Sequence, residues 1–291
     1  MKRIATLFTV LVLLVASILT LSSCAAAPLE GKTADEALEI INTKMTAQTA
    51  LKTTMDMDIS LDMPNIMTLT VGMEGTNTMK QSEDSLLMDV LMDMTMSMES
   101  DLIGNQSTDA TSTMKYDGTT LYMTSSAGEG EDTYEDKQKA TADKDALLAA
   151  MAGASGGNLT MNQDWNDWTG MKNATIEKKE DKYILTATES EDALTDAILG
   201  AADSISGMGG ELEVTALSIT MTCAPDGFCE KVELDMDVTL SVEGMDAAMG
   251  ITLVAKYEKA PADFAVSAPA DAAEYEEVDL DVIFPSDEDA E

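Results

Sequence analysis

The chain has 291 residues, 54 of them acidic and 17 basic, with no histidine and a formal charge of −37. A surface of that sign repels nucleic acid and anionic bilayers, so nucleic-acid binding is excluded; the missing histidine excludes His-based triads and the common zinc sites. Aromatic residues are few, with four Phe and two Trp, whereas Met reaches 23, so an unbranched, adaptable side chain must pack much of any core.

The first element in chain order is a leader. Lys2 and Arg3 precede an uncharged run from Ile4 to Leu21, and Leu21-Ser22-Ser23-Cys24 places small residues before a cysteine. This resembles a bacterial lipoprotein signal peptide with its lipobox. The resemblance implies diacylglycerol on Cys24, cleavage before it, and a protein anchored on the extracytoplasmic face of the cell membrane. Two acyl chains hold such an anchor durably where one does so marginally. The alternative is an uncleaved transmembrane helix, for which the run is nearly long enough. The expected organisation is a leader at 1–23, a lipidated tether at 24–32, a single domain at 33–284 and an acidic disordered tail at 285–291.

Thr33-Ala-Asp-Glu36 has the spacing of a capping box, and Ala34, Leu38, Ile41 and Met45 recur at helical spacing, which predicts a helix over about 34–51. The period then changes to two. Met55, Met57, Ile59, Leu61 and Met63 share one face of an extended chain, with Asp56, Asp58, Ser60 and Asp62 on the other. Met67, Leu69, Val71 and Met73 repeat the pattern, as do Met88, Val90, Met92, Met94, Met96 and Met98. Such alternation predicts half-buried antiparallel strands. Asp117-Gly118 marks a turn between two more short strands.

Residues 125–137, rich in Gly and Glu, read as a loop, and 143–152 as a short helix. Trp165 and Trp168 sit in a polar segment, as an end plug or a binding platform. A hairpin follows around Glu180-Asp181. Ser190 is placed to cap a second long helix, with Leu194, Ala197, Ile198, Ala201 and Ile205 as its apolar stripe. Three strands are expected at about 211–222, 230–242 and 249–258, and a last short one through Val278, Leu280 and Val282. Cys223 and Cys229 flank Ala-Pro-Asp-Gly-Phe, a turn signal that sets them roughly opposite each other. They form a candidate disulfide in an extracytoplasmic protein, or else two reduced structural thiols.

The lipobox Leu21–Cys24, the helix 34–51, the Tyr116–Tyr122 hairpin and the late meander through Cys223–Cys229 together resemble the LolA/LppX-like superfamily of lipoprotein carriers and lipid-binding lipoproteins. The resemblance implies an α+β fold: a strongly curved antiparallel sheet, a half-barrel, packed on one or two helices. It also implies a hollow that takes acyl chains or lipidated partners.

The methionine rows allow three readings. They can be plain core, since Met fills irregular gaps. They can line a deformable apolar cavity, with Met55, Met57, Ile59, Leu61, Met67, Leu69, Val71, Met88, Val90, Met92, Met94 and Met96 as its candidate wall. Or they can hold copper(I) on thioether sulfur, although neighbours on one strand are roughly 7 Å apart, so sulfurs would have to converge from different strands. The Asp rows at 56, 58 and 62, and at 235 and 237, read as a solvated outer face, since the Ca²⁺-loop pattern is absent. They also leave a saline habitat or weak cation binding open.

The expectation is therefore a non-catalytic, membrane-anchored lipoprotein. It binds a lipid or lipopeptide in a Met-rich cavity and needs no cofactor and no metal. Its alternatives are an envelope structural or protein-interaction module with a filled core and an unknown protein partner, and a metal-binding lipoprotein. Carboxylates are too numerous for any glycosidase-like pair to stand out, and Gly207–Gly210 follows a helix, the wrong context for a phosphate loop.

Overall fold

The computed structural model describes residues 29–64, 66–100, 104–129, 132–154, 171–190, 211–242 and 245–284. Helix α1 (Ala34–Thr46) is followed by six strands: β1 (Ala50–Met63), β2 (Met67–Gln81), β3 (Leu86–Glu99), β4 (Gln106–Tyr116), β5 (Thr120–Glu129) and β6 (Asp132–Thr141). Helix α2 (Lys144–Ala154) comes next, then β7 (Met171–Lys172), β8 (Thr175–Lys179), β9 (Lys182–Ala187) and β10 (Glu189–Ser190). Three long strands, β11 (Glu211–Cys223), β12 (Cys229–Val242) and β13 (Met245–Lys259), precede the short β14 (Glu276–Glu277) and the one-turn helix α3 (Leu280–Ile283).

Twelve strands form one sheet in the order β14-β6-β5-β4-β3-β2-β1-β13-β12-β11-β9-β8, and β7 pairs with β10 apart from it. Every neighbour in the large sheet is antiparallel except β14, which lies parallel to β6. The expected α+β half-barrel packed on helices is thereby corrected: the fold is all-β, and the described α-helices have 13, 11 and 4 residues. The period-two pattern runs further than the obvious methionine rows. Of residues 125–137, expected as a loop, 125–129 belong to β5 and 132–137 to β6. Their Ser, Thr and Lys side chains are compatible with strands near the side of a sheet, where no apolar row is required.

Local chemistry explains the other boundary changes. Thr33 forms the expected capping box: its Oγ1 accepts from the Glu36 amide at 3.3 Å, and its own amide donates to Glu36 Oε2 at 3.0 Å. That bond is the main reason the Glu36 carboxyl is held below its ordinary value. The helix stops at Thr46 rather than 51. Thr43 and Thr46 turn their hydroxyls back onto the carbonyls of Glu39 and Asn42, which weakens a helix, and β1 begins at Ala50. The last expected strand, through Val278, Leu280 and Val282, is absent: β14 is Glu276–Glu277, before it. Leu280–Ile283 is a helical turn that buries Ile283 and leaves Val282 exposed. Ser190, expected as a helix cap, pairs with Met171 in β10. The helix stripe from Leu194 to Ile205, both tryptophans, the leader with Cys24, and the acidic tail lie outside the described residues.

One continuous hydrophobic core takes residues from β1–β5, β9, β11–β13, α1 and α2. A sheet of twelve strands achieves this by curling its inner face around a common centre. Both longer helices sit at one end of it. Lys144 of α2 donates to the Ser82 and Glu83 carbonyls at 3.0 and 2.9 Å, tying α2 to the β2–β3 turn. Lys44 of α1 pairs with Asp226 at 2.9 Å, and the Leu29 amide donates to the Pro225 carbonyl, both in the β11–β12 turn. The two sheet edges differ. Segment 271–277 covers β6: Lys137 pairs with Asp271 at 2.8 Å and Glu274 at 3.3 Å, and Tyr275 packs edge-on against Tyr122. The β8 edge is short and dressed with Glu177, Lys178 and Lys179, a charge pattern that discourages edge pairing.

Candidate functional site

Strand register settles where the methionines stand. Met55 faces Gly75, Met57 faces Met73, Ile59 faces Val71 and Leu61 faces Leu69 across β1 and β2. Across β2 and β3, Met79 faces Met88, Met73 faces Met94, Val71 faces Met96 and Leu69 faces Met98. All twelve candidate wall residues therefore share the inner face. Nine are buried: Met55, Met57, Ile59, Leu61, Val71, Met88, Val90, Met92 and Met94. Met67, Leu69 and Met96 are half-buried.

The difference follows position along the strands. At the helix-bearing end Leu51, Met79, Met88, Tyr116 and Leu121 are 2 % exposed or less. Along β3 alone, exposure goes from 0 % at Met88 and Met92 through 6 % at Met94 to half-buried at Met96 and Met98. Met63, Met67, Leu69, Met96 and Met98 form the incompletely covered end of the face. Gly75 helps fill the closed part. A Cβ there would lie 3.3 Å from Met92 Cε and 3.2 Å from the Leu91 carbonyl, so a side chain at this position would crowd Met92.

The condition set by the metal reading is met in part, because Met57, Met73 and Met94 stand side by side on three adjacent strands. Directly opposed Cβ atoms are about 5 Å apart, close enough for flexible thioethers to meet. Among the described residues no group of three His, Cys, Asp or Glu is arranged to hold a metal ion. Asp56, Asp58, Asp62, Asp235 and Asp237 are exposed on the outer face. There the register also brings Asp56, Glu74 and Asp93 into one cross-strand row, with Asp93 accepting from Thr111 at 2.7 Å.

Cys223 and Cys229 face each other across β11 and β12, as their spacing predicts, and both are buried free thiols. The Cys223 S–H donates to the Cys229 sulfur, and this bond, then burial, push the Cys223 thiol well above the ordinary cysteine value. The nearby Tyr257 phenol is pushed up by burial too.

Hollows open on the surface of the described residues. One of about 730 Å³ lies beside the β11–β12 turn, against Phe228, Tyr257, Lys231, Lys256 and Lys259. Another, about 360 Å³, lies over β1–β3 between Asp56, Glu74, Asp93 and Lys256. The sequence reading missed the lysines. Lys231 and Lys256 are distant in the chain and meet only through the β12–β13 register; the available signal was their rarity in so acidic a chain.

Among the described residues no helix is long and apolar enough to cross a membrane. No protein-family model matches the chain, and no curated protein matches it. Among solved structures it is similar to a beta-barrel-like protein of a domain of unknown function, DUF1849, from Brucella abortus. The identity is 12 %, over 74 % of this chain and 99 % of that one, with a TM-score of 0.28. It is also similar to a fusion DH domain, at 11 % identity over 69 % of this chain and 91 % of that one, with a TM-score of 0.15. Both scores are low, so the all-β assignment rests on this chain's own strand pairing.

Proposed function

We propose that the chain is a non-catalytic binder of an apolar ligand, a lipid or lipopeptide, held against the incompletely covered end of its inner face. Cys24 tethers it by diacylglycerol to the extracytoplasmic face of a bacterial membrane. The observation that carries this reading is the gradient along β3, from fully covered Met88 to half-buried Met96 and Met98. Methionine suits such a wall because its thioether is soft and its three torsions adapt to ligands of different shape. Each methylene moved from water onto the face contributes about 0.8 kcal/mol, so a medium-length acyl chain suffices after ordering costs. The acidic outer face would hold the body off an anionic bilayer while the tether keeps it near.

The test is organic extraction and mass spectrometry of the soluble mature domain without its lipidated Cys24, residues 25–291, purified from cells. A variant carrying Leu69→Phe and Met96→Phe narrows the uncovered end and serves as the comparison. A stoichiometric lipid in the parent, lost in a folded variant, supports the reading. A folded parent that holds no lipid even when lipid is offered moves the choice to an interaction module with a filled core.

The side-by-side Met57, Met73 and Met94 favour a second reading, a copper(I) site on thioether sulfur. Titration with silver(I), a redox-inert stand-in, separates the two. One ion held per chain and released by Met73→Leu supports the metal.

A further inference from the structure

The uncovered part of the inner face does not stop at the methionines; strand register carries it across to β6. Met92 faces Ser112, Ser112 faces Ser125, and Ser125 faces Asp136. In the next row Met94, Ala110, Ala127 and Tyr134 stand side by side in the same way. Directly opposed residues of an antiparallel sheet point to one side, so Asp136 and Tyr134 share a face with the methionine wall. The lysines of β6 lie on its other side, under segment 271–277. Lys137 pairs there with Asp271 at 2.8 Å, and Lys139 donates to the Ala272 carbonyl at 3.5 Å. The half-buried Asp136 accepts from Gln138 Nε2 at 3.0 Å and forms no ion pair among the described residues. Tyr134 is 63 % exposed. Between β3 and β6 the accessible side chains are small: Thr108, Ser125 and Ala127 are half-buried, as Met96 is. An accessible band therefore runs from Met96 over β4 and β5 to β6, three strand spacings or about 14 Å. It is apolar at one side and ends in a carboxylate and an aromatic ring at the other.

We propose that the inner-face ligand is an amphiphile with a cationic head. Its acyl tail lies on the Met96 end of the band, and its ammonium group sits at β6 between the Asp136 carboxylate and the Tyr134 ring. This rests on the inner-face reading and names the class of ligand that face takes. An ammonium group over an aromatic ring is drawn to its π-face, and a carboxylate beside an apolar band is screened less than one in open water. An anionic head would meet Asp136 with no neighbouring cation to offset it, on a chain of charge −37, and like charge disfavours it. The same head chemistry has two sources, a lipid with an ammonium head and a lipopeptide with a basic residue beside its acyl group.

No residue before Leu29 enters the described core, so the soluble domain, residues 25–291, keeps that core whole and serves for the test. It is titrated calorimetrically with decyltrimethylammonium, decanoate and the neutral 1-decanoylglycerol, each below its micelle concentration. The cation is expected to bind about fivefold more tightly than the neutral probe, and the anion most weakly. Asp136→Asn should narrow the cation-over-neutral preference about three- to fivefold, and Tyr134→Leu about twofold. Asp58→Asn, exposed on the outer face, leaves the preference unchanged, which separates a local site from the general pull of an acidic chain. Circular dichroism confirms that the variants fold. Decanoyl-lysinamide distinguishes the sources: tighter binding than decyltrimethylammonium assigns the head to a lipopeptide, weaker binding to a lipid, and both support a cationic head. Equal binding of the three decyl probes, or a cation preference that Asp58→Asn lowers as much as Asp136→Asn, overturns the proposal and leaves the inner-face reading standing. Binding of none of the probes overturns both.

Discussion

The two ends of the inner face use the same residue for different ends. Near α1 and α2, Met79, Met88 and Met92 are 2 % exposed or less and behave as close-packed core. At the other end Met63, Met67, Met96 and Met98 lie on the same face of the same strands and remain half-buried. A row of methionine therefore has no single meaning. Cover, supplied here by two short helices and a curled sheet, decides whether a thioether packs or stays available.

The largest expected effect breaks that contrast directly. Met92→Ala opens a cavity at the closed end and should cost about 2–5 kcal/mol of unfolding free energy. Met96→Ala removes a side chain already part-hydrated and should cost about 1 kcal/mol or less. Equal losses in urea denaturation would erase the distinction between the ends.

The cysteine pair sharpens the closed end. Oxidising Cys223 and Cys229 should raise stability by about 2 kcal/mol, the value for so short a loop, seen as a higher denaturation midpoint without reductant. In the reduced, folded protein Cys223 should resist alkylation, since its raised thiol value leaves little thiolate to react, and burial shields Cys229 from the reagent. An unchanged midpoint after confirmed oxidation would mean that the turn is already fully constrained.

A smaller effect is pH-dependent. A hydrogen bond from Lys44 holds the Asp226 carboxyl below its ordinary value. The pair's stabilisation is thus full above the ordinary carboxylate range and is lost as pH falls through Asp226's depressed value. Asp226 is 54 % exposed, so screening keeps the contribution under about 1 kcal/mol. Lys44→Gln should remove that acid-side step from the stability profile while leaving the far end of the inner face unaffected. The smallest effect belongs to the outer face. Glu74→Gln relieves repulsion in the Asp56–Glu74–Asp93 row and should stabilise by a few tenths of a kcal/mol, about the size of a cross-strand charge pair, fading in high salt.

Much of the fold was legible from local chemistry. Thr33 and Glu36 marked the start of α1. Alternation placed β1, β2 and β3, the Asp117-Gly118 turn and the Glu180-Asp181 hairpin stand where expected, and Cys223 meets Cys229. Asp117 shows why such a turn is readable: its own carboxylate accepts from the Thr119 and Thr120 amides at 3.0 and 2.9 Å. The balance of helix and sheet was misread because β5 and β6 lack an apolar row; their strand state comes from pairing with neighbours, which no local window contains. The site was half legible. Period two put the twelve candidate residues on one face, but which end is covered depends on where α1 and α2 dock. The lysine hollow was invisible for the same reason, since Lys231 and Lys256 become neighbours only through register.

The most direct measurement is a methyl NMR spectrum of the protein with ¹³C-labelled methionine, assigned by substitution and recorded as an acyl ligand such as dodecanoate is added. The Met63, Met67, Met96 and Met98 methyls should shift with saturation while those of Met79, Met88 and Met92 stay in place. Shifts centred on the helix-bearing end, or no saturable shift at any methionine, would contradict it.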